Sequence, residues 1–257
     1  MKALFMTSQL PKLIKDENGN KISDGCNNQN GIVERLKAFV NNSISFVYIA
    51  SNPNNFSKSD SQCQATVKAL EKEGFSVDKI ELIDYRFDGD INKTILSSNI
   101  VFLAGGHVPT QNKYFKEIDL KSILKDFDGV VIGQSAGSMN CSKMVYAQPY
   151  NEEEFNDPNY QNTFEGLGLT DLIIMPHMNR AKLDELCGET TYSMCLKDSY
   201  IIPHYGIVDG GYILVKDGKA EAFGKTVFFE NGKETLICEN GESYVIYEKG
   251  KEDEKNN

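Results

Sequence analysis

The sequence lacks an excess of positive charge and long apolar runs, and each absence excludes a class of protein. Its 257 residues include 27 Lys and Arg against 37 Asp and Glu, which leaves a formal net charge of −10 and argues against a nucleic-acid or anionic-membrane partner bound through a broad basic face. No apolar run approaches the roughly 18 to 20 residues of a membrane span, and the apolar stretch at the N-terminus is too short for a signal peptide. We therefore expect a soluble cytoplasmic protein with no nucleic-acid and no membrane partner.

Cysteine pairs with metal-binding spacing are also missing. The six Cys form no CxxC motif and have no His near them at zinc spacing, so we expect neither a metal site nor another cofactor. In a chain without an export signal, scattered Cys are most often reduced and buried as small apolar residues. We therefore expect some of these Cys to belong to the core.

What the sequence does contain is a repeating pattern of strands and helices. A hydrophobic content of 40% and a charged content of 25% are ordinary for a globular protein and exclude a disordered chain. Short β-branched and aromatic runs alternate with helical patterns, which is typical of βαβ units. We predict strands at 2–7, 45–50, 76–84, 100–103, 130–133 and 172–175, and helices at 32–41, 59–73, 91–97, 114–125, 136–145 and 182–196.

Two segments depart from this repeat. Residues 11–30 are polar, contain Asn18-Gly19 and predict an inserted loop or hairpin, which either borders a ligand site or is a tolerated surface insertion. After residue 200, turn dipeptides separate short strands and predict an antiparallel extension over 200–247. The expected fold is a single α/β domain over 1–247, with a mostly parallel central sheet, helices on both faces, and a polar tail over 248–257.

The sharpest motif is the G-x-S-x-G sequence Gly133-Gln134-Ser135-Ala136-Gly137, which lies between an apolar strand and a helical segment. That context is the one a nucleophile elbow requires. The small neighbours let the chain turn sharply and expose the Ser135 hydroxyl at a helix N-terminus, where backbone N–H groups stabilise a developing negative charge. The alternative is a Ser that merely caps a helix.

A nucleophilic Ser needs a base, and the chain has three His. His177 follows an apolar run and lies at the C-terminal end of a predicted strand, the same sheet edge as Ser135, so it is our first choice. His204, among the predicted antiparallel strands, is the second choice. His107 lies beside a Gly pair at another strand end and is expected to line the pocket.

That pair, Gly105-Gly106, ends a buried strand. Backbone without Cβ atoms suits a loop whose N–H approaches an oxyanion together with that of Ala136. A plain tight turn is the alternative.

Several motifs occur together in a characteristic order: Gly105-Gly106, Thr110-Gln111, the elbow with Ser138, and Met175-Pro176-His177. In this respect residues 1–225 resemble the alpha-aspartyl dipeptidase (peptidase E) and cyanophycinase family of serine peptidases. The resemblance implies a class I glutamine amidotransferase-like, flavodoxin-like α/β fold whose elbow carries Ser where the amidotransferases carry Cys. It also implies that Ser135 is the nucleophile, His177 the base, and Gly106 and Ala136 the oxyanion donors. We expect the substrate-binding residues to be Gly105, His107, Gln134 and Arg180.

The chain departs from the family pattern at two places. The family's catalytic acid lies about fifteen residues after the Ser, where this chain has Tyr150. Glu152 is the nearest carboxylate, so we expect it to be the third catalytic residue, with a solvated acidic loop as the alternative. The family's substrate-reading Arg is also missing after residue 188, which argues against specificity for an N-terminal Asp and leaves Arg180 as the nearby substitute.

The leading hypothesis from the sequence is a serine-type peptidase or amide hydrolase that acts on small peptides or amino-acid derivatives through an acyl-enzyme. The alternative is a non-catalytic binding or regulatory protein with an incomplete triad, motivated by the missing acid. An amidotransferase that uses Cys141 is disfavoured because that residue lies six positions into the predicted elbow helix. The expected partner is a small peptide substrate, and the chain could form a homodimer.

Overall fold

The computed structural model describes residues 1–17 and 21–249. Its strands are β1 (Ala3–Thr7), β2 (Pro11–Lys15), β3 (Lys21–Cys26), β4 (Ser43–Ile49), β5 (Ser76–Ile83), β6 (Ile100–Leu103), β7 (Val130–Gln134), β8 (Met144–Tyr146), β9 (Thr163–Glu165), β10 (Ile174–Met175), β11 (Glu185–Leu186), β12 (Glu189–Thr190), β13 (His204–Ile207), β14 (Tyr212–Lys216), β15 (Lys219–Phe223), β16 (Thr226–Glu230), β17 (Lys233–Cys238) and β18 (Ser243–Glu248). Its helices are α1 (Ile32–Lys37), α2 (Phe56–Lys72), α3 (Ile91–Leu96), α4 (Val108–Glu117), α5 (Leu120–Asp126), α6 (Ala136–Asn140), α7 (Glu152–Asn156) and α8 (Thr191–Asp198).

The main sheet has the strand order β18-β15-β14-β1-β7-β6-β4-β5. Strands β1, β7, β6, β4 and β5 pair in parallel, whereas β14, β15 and β18 extend the sheet with antiparallel pairs. Buried side chains alternate along the parallel strands into two hydrophobic clusters, one on each face. The predicted α/β class with a mostly parallel central sheet is therefore confirmed.

A second sheet has the strand order β10-β13-β16-β17. It positions the segments that follow β10 and β13. Its first pair, β10 and β13, is parallel, with Ile174 opposite Tyr205 and Met175 opposite Gly206. Parallel pairing places the C-terminal ends of both strands at the same edge. The strand expected at 172–175 is thus shorter and belongs to this smaller sheet, and the antiparallel region after residue 200 is divided between the two sheets.

Four of the expected helices are shorter than expected or divided. The helix expected at 32–41 is α1, which ends at Lys37. The helix expected at 114–125 is α4 followed by α5, because Asp119 between them has a left-handed φ of 49°. The elbow helix ends at Asn140 rather than 145. The helix expected over 182–196 is confined to α8, since Cys187 and Gly188 both take positive φ and join β11 to β12 in a hairpin turn.

The inserted segment contains a hairpin in which β2 pairs with β3, while the Asn18-Gly19 dipeptide lies outside the described residues. Asp24 of β3 accepts from Lys12 across the hairpin, at 3.1 Å, and from Lys72 of α2, at 3.3 Å. These contacts hold the hairpin against α2. At the other end of the chain, Glu248 closes β18, and residues 250–257 of the expected tail lie outside the described residues.

Five of the six Cys are buried and all six are free thiols. Within the described ranges, each helix is too short or too polar to cross a lipid bilayer.

Candidate active site

Ser135 lies at a sharp turn between β7 and α6. Its backbone has φ 51° and ψ −114°, a strained conformation for a residue with a side chain. The turn is held by β1, because the Thr7 carbonyl accepts from the Ser135 backbone N–H at 2.9 Å and from the Ser138 hydroxyl at 2.8 Å. A Cβ on Gly137 would lie 2.1 Å from the Leu103 carbonyl oxygen, so the tight packing of this turn requires Gly there.

His177 reaches Ser135 from the second sheet. It follows β10 and has a left-handed φ of 61°, and its Nε2 lies 3.0 Å from Ser135 Oγ. The expected proximity of these two side chains is therefore present in the structure. The His177 backbone N–H donates to the Ser8 hydroxyl oxygen at 2.9 Å, so Ser8 holds the unusual backbone of the imidazole residue.

The carboxylate beside the imidazole belongs to Asp209, in the loop between β13 and β14. Asp209 Oδ1 lies 2.6 Å from His177 Nδ1 and accepts from the Ser8 hydroxyl at 2.6 Å. Its Oδ2 accepts from Asn179 Nδ2 at 3.1 Å. The same carboxyl group therefore receives hydrogen bonds from three side chains.

These contacts determine the charge of Asp209. Burial raises the pKa of this carboxyl, but hydrogen bonds from His177, Ser8 and Asn179 outweigh the burial and lower the pKa to about 2. An ionised carboxylate only accepts hydrogen bonds, so the proton of the neutral imidazole lies on Nδ1. Nε2 is then the acceptor that faces the Ser135 hydroxyl.

Asp209 lies against His177 Nδ1, where Glu152 was expected. The prediction that Glu152 contacts His177 is therefore wrong. Glu152 is exposed at the first position of α7. Asp209 follows the strand β13 after one residue, as His177 follows β10, so its position at a strand end is the one signal that the sequence offers. The prediction from the sequence considered no carboxylate among the antiparallel strands after residue 200, and therefore did not find it.

The Gly105-Gly106 turn lies close to the elbow, as expected for an oxyanion loop. A Cβ built on Gly105 would be 3.3 Å from Ser135 Cβ, and one on Gly106 would be 2.2 Å from Ser51 Oγ. Ala136 begins α6, where helix geometry leaves the first N–H groups without an intrahelical acceptor. The backbone of both segments therefore approaches Ser135 closely.

Gly105, Gly106, Ser135 and His177 border a cavity of about 440 Å³. Its lining also includes Gln9, parts of the hairpin and of α2, residues 148–150, Arg180, Asp184 and Thr191. Of the residues expected to bind substrate, Gly105, Gln134 and Arg180 line the cavity. Arg180 is partly neutralised, since its Nε lies 2.9 Å from Asp184.

His107 does not line this cavity, contrary to expectation. Its Nδ1 lies 2.7 Å from Thr110 Oγ1, and its Nε2 lies 2.8 Å from a Glu154 carboxylate oxygen, at an angle unsuited to a hydrogen bond. The Tyr150 ring packs against it at a centroid distance of 5.5 Å, and Tyr150 itself lines the cavity. His107 thus supports the cavity wall from behind.

The alternative base and nucleophile are both in the core. His204 is 0% exposed, stacks on Phe229 and lies 2.8 Å from the Ile202 carbonyl oxygen through Nδ1. Burial raises the pKa of the Cys141 thiol, which donates to the Gly137 carbonyl at 3.1 Å. Neither residue lines the cavity that contains Ser135.

Comparison with known proteins first defines the class of fold. A peptidase from an acI-B1 Actinobacterium superposes with a TM-score of 0.61 at 13% identity, covering 95% of this chain and 97% of its own. A protein assigned to peptidase E, from Listeria monocytogenes EGD-e, superposes with a TM-score of 0.53 at 17% identity, covering 92% and 98%. At these identities the similarity shows a shared fold, that of peptidase E-type α/β proteins.

The family follows from the sequence model of peptidase family S51, which matches residues 19–223. The chain therefore belongs to peptidase family S51, and the resemblance to peptidase E is confirmed. A comparison with curated protein sequences found no significant match.

Proposed function

We propose that this S51 member is a serine-type peptidase that hydrolyses an amide bond of small peptides or amino-acid derivatives through an acyl-enzyme. The observation that carries the proposal is the continuous contact from Ser135 Oγ to His177 Nε2, at 3.0 Å, and from His177 Nδ1 to Asp209 Oδ1, at 2.6 Å. Nucleophile, base and orienting acid in this geometry define the Ser-His-Asp mechanism irrespective of fold.

In the acylation step, Ser135 Oγ attacks the carbonyl carbon of the substrate while His177 Nε2 takes the hydroxyl proton. The negative charge on the carbonyl oxygen is stabilised by the backbone N–H groups of Gly106 and Ala136. The C–N bond then breaks, and Nε2 returns the proton to the leaving amine. The product of this step is an ester between Ser135 and the acyl part of the substrate.

In the deacylation step, a water molecule attacks the ester carbonyl and gives its proton to His177 Nε2. The bond to Ser135 Oγ breaks, and the oxygen regains its proton from Nε2, which restores the free enzyme and releases a carboxylic acid. Throughout, Asp209 holds the imidazole tautomer and stabilises the transient imidazolium without itself being protonated.

The size of the cavity supports a small substrate. Its volume of about 440 Å³ falls within the range of pockets that enclose small ligands. The alternative of a non-catalytic protein rested on the missing acid after the elbow, and the contact between Asp209 and His177 removes that argument.

The test combines covalent labelling with hydrolysis of a dipeptide library. We expect a fluorophosphonate probe to label the wild type at Ser135, and Ser135→Ala to abolish labelling and lower kcat by about 10⁶-fold, as loss of a serine nucleophile does elsewhere. Ser61→Ala, at an exposed position of α2, is the matched control and should behave as wild type. A wild type that neither reacts with the probe nor hydrolyses any dipeptide would overturn the proposal.

A further inference from the structure

Gln148 lies in the wall of the cavity, and neighbouring groups of the protein hold its side-chain amide. Its Nε2 is 2.8 Å from the Tyr146 hydroxyl oxygen, 3.2 Å from the Thr191 carbonyl oxygen and 3.3 Å from Cys195 Sγ. The side chain is therefore fixed by contacts within the protein, one of them with the backbone of Thr191, which also lines the cavity.

The chemistry of these partners determines which end of the amide they bind. The Tyr146 hydroxyl donates its single hydrogen to Asp198 at 2.6 Å, and burial together with the nearby Cys195 and this carboxylate raises the pKa of Tyr146. Only lone pairs of that hydroxyl remain for Gln148, and the Thr191 carbonyl also offers only lone pairs. Both contacts require the amide NH2 group, since a flipped amide would place its oxygen against two oxygens.

The carbonyl oxygen Oε1 of Gln148 is left as the free end of the amide. Within residues 1–17 and 21–249, the hydrogen bonds of this amide all involve Nε2, and Gln148, which lines the cavity, is half-buried. Gln134, another amide of the same cavity, differs because its Oε1 already accepts from the Leu10 backbone N–H at 3.0 Å. Gln148 Oε1 is therefore left as an acceptor in a residue that lines the cavity, whereas the carbonyl end of Gln134 is occupied.

We infer that Gln148 Oε1 accepts a hydrogen bond from a substrate N–H group, and that Tyr146 and Asp198 are positioning residues for this contact. The donor is either the ammonium of the substrate's amino terminus or a peptide N–H. Gln148 would then determine specificity, because a substrate without a donor at this place leaves the acceptor desolvated and unpaired. The inference rests on the proposed function, since it assumes that the cavity binds a peptide.

The experiment measures binding rather than turnover. Calorimetry in the Ser135→Ala background compares the dipeptide that the wild type hydrolyses fastest with its N-acetylated form. We expect Gln148→Met, which keeps the length of the side chain and removes the acceptor, to weaken binding by about 10-fold to 100-fold for a charged donor. Gln64→Met, on an exposed face of α2, is the matched control and should change nothing.

The two sources of N–H give different results. Loss of affinity for the free amine alone identifies the ammonium as donor, and loss for both forms identifies a peptide N–H. Tyr146→Phe removes one of the groups that orient the amide, so it should weaken binding of the same form of the dipeptide by a smaller factor. When it is combined with Gln148→Met, it should cause no further loss of affinity. In the active enzyme, the same variants should raise KM more than they lower kcat.

Unchanged affinity for both forms in a folded Gln148→Met protein, checked by its thermal unfolding, would overturn the inference and leave the proposed function intact. A wild type that hydrolyses no library dipeptide would overturn the proposed function, and the inference with it.

Discussion

Two acidic loops lie near Ser135 and His177, and they differ in what surrounds each carboxylate: residues 150–157, of which Tyr150 lines the cavity, and residues 208–211, of which Asp209 contacts His177. The Asp209 side chain is 28% exposed and receives hydrogen bonds from His177, Ser8 and Asn179. Glu152 is exposed at the start of a short helix. The comparison shows that a carboxylate becomes part of such a site where neighbouring elements supply donors that offset its desolvation.

Strand pairing explains why the donors meet at Asp209. Because β10 and β13 are parallel neighbours, the segments that follow them leave the sheet side by side, and the Met178 N–H donates to the Ile207 carbonyl at 3.1 Å. The segment after the hairpin contributes as well, since Gln29 Nε2 donates to the Asp209 carbonyl at 3.0 Å. Loop 150–157 has no comparable strand neighbour on the His177 side within the described residues.

The largest effect that separates the two loops should come from Asp209→Asn. An amide in this place stabilises the imidazolium poorly and allows the wrong tautomer of His177, so we expect kcat to fall by about 10⁴-fold with KM little changed. Steady-state kinetics on the best dipeptide measures the change, and circular dichroism checks the fold. A loss of less than about 10-fold would contradict the assignment of Asp209 as the acid of the triad.

Ser8→Ala should have the next largest effect. Its hydroxyl joins Asp209, at 2.6 Å, to the backbone of His177, at 2.9 Å, so its loss lets both residues shift. Small displacements of catalytic groups cost up to about 100-fold in rate, and we expect kcat to fall by about 10-fold to 100-fold. A purely structural role would instead lower thermal stability and leave the kcat of the folded fraction unchanged, which titration of active sites with the fluorophosphonate distinguishes.

Acid should remove a contribution of Asp209 to stability. Burial opposes ionisation of this carboxyl, but its hydrogen bonds lower the folded pKa from 3.8 to about 2. The unfolded state therefore binds a proton more readily, so the contribution, on the order of 2 kcal/mol, is present above about pH 4 and is lost as the pH falls towards 2. The difference in unfolding free energy between wild type and Asp209→Asn should shrink as the pH falls from about 5 towards 2. A constant difference would contradict the lowered pKa.

The smallest effect should come from Glu152→Gln. Because this carboxylate is exposed and the acid position at His177 is occupied by Asp209, we expect kcat and KM to stay within about twofold of wild type. If this variant lost activity by 100-fold or more while Asp209→Asn remained active, the roles of the two loops would have to be exchanged.

Sequence reasoning performed best where function depends on a local turn. The G-x-S-x-G motif predicted the strained backbone of Ser135, and an apolar run before His177 predicted a residue at a strand end. It failed where two distant segments had to be paired, as with the strand before His177, which belongs to the second sheet. Positive φ values at Asp119 and Cys187 also interrupt the segments 114–125 and 182–196, for each of which the sequence pattern predicts one continuous helix.

The sequence alone was enough to predict the α/β class, the sharp turn at Ser135 and the position of His177 at a strand end. Strand periodicity and turn chemistry act over a few neighbouring residues, so a single sequence shows them. Only the tertiary structure decided which carboxylate completes the constellation, since Glu152 and Asp209 have the same chemistry and differ in their neighbours. Contact between residues 177 and 209 depends on the parallel register of β10 and β13. Which strands become neighbours is decided by the packing of the whole chain, and neither segment alone shows that β10 pairs with β13.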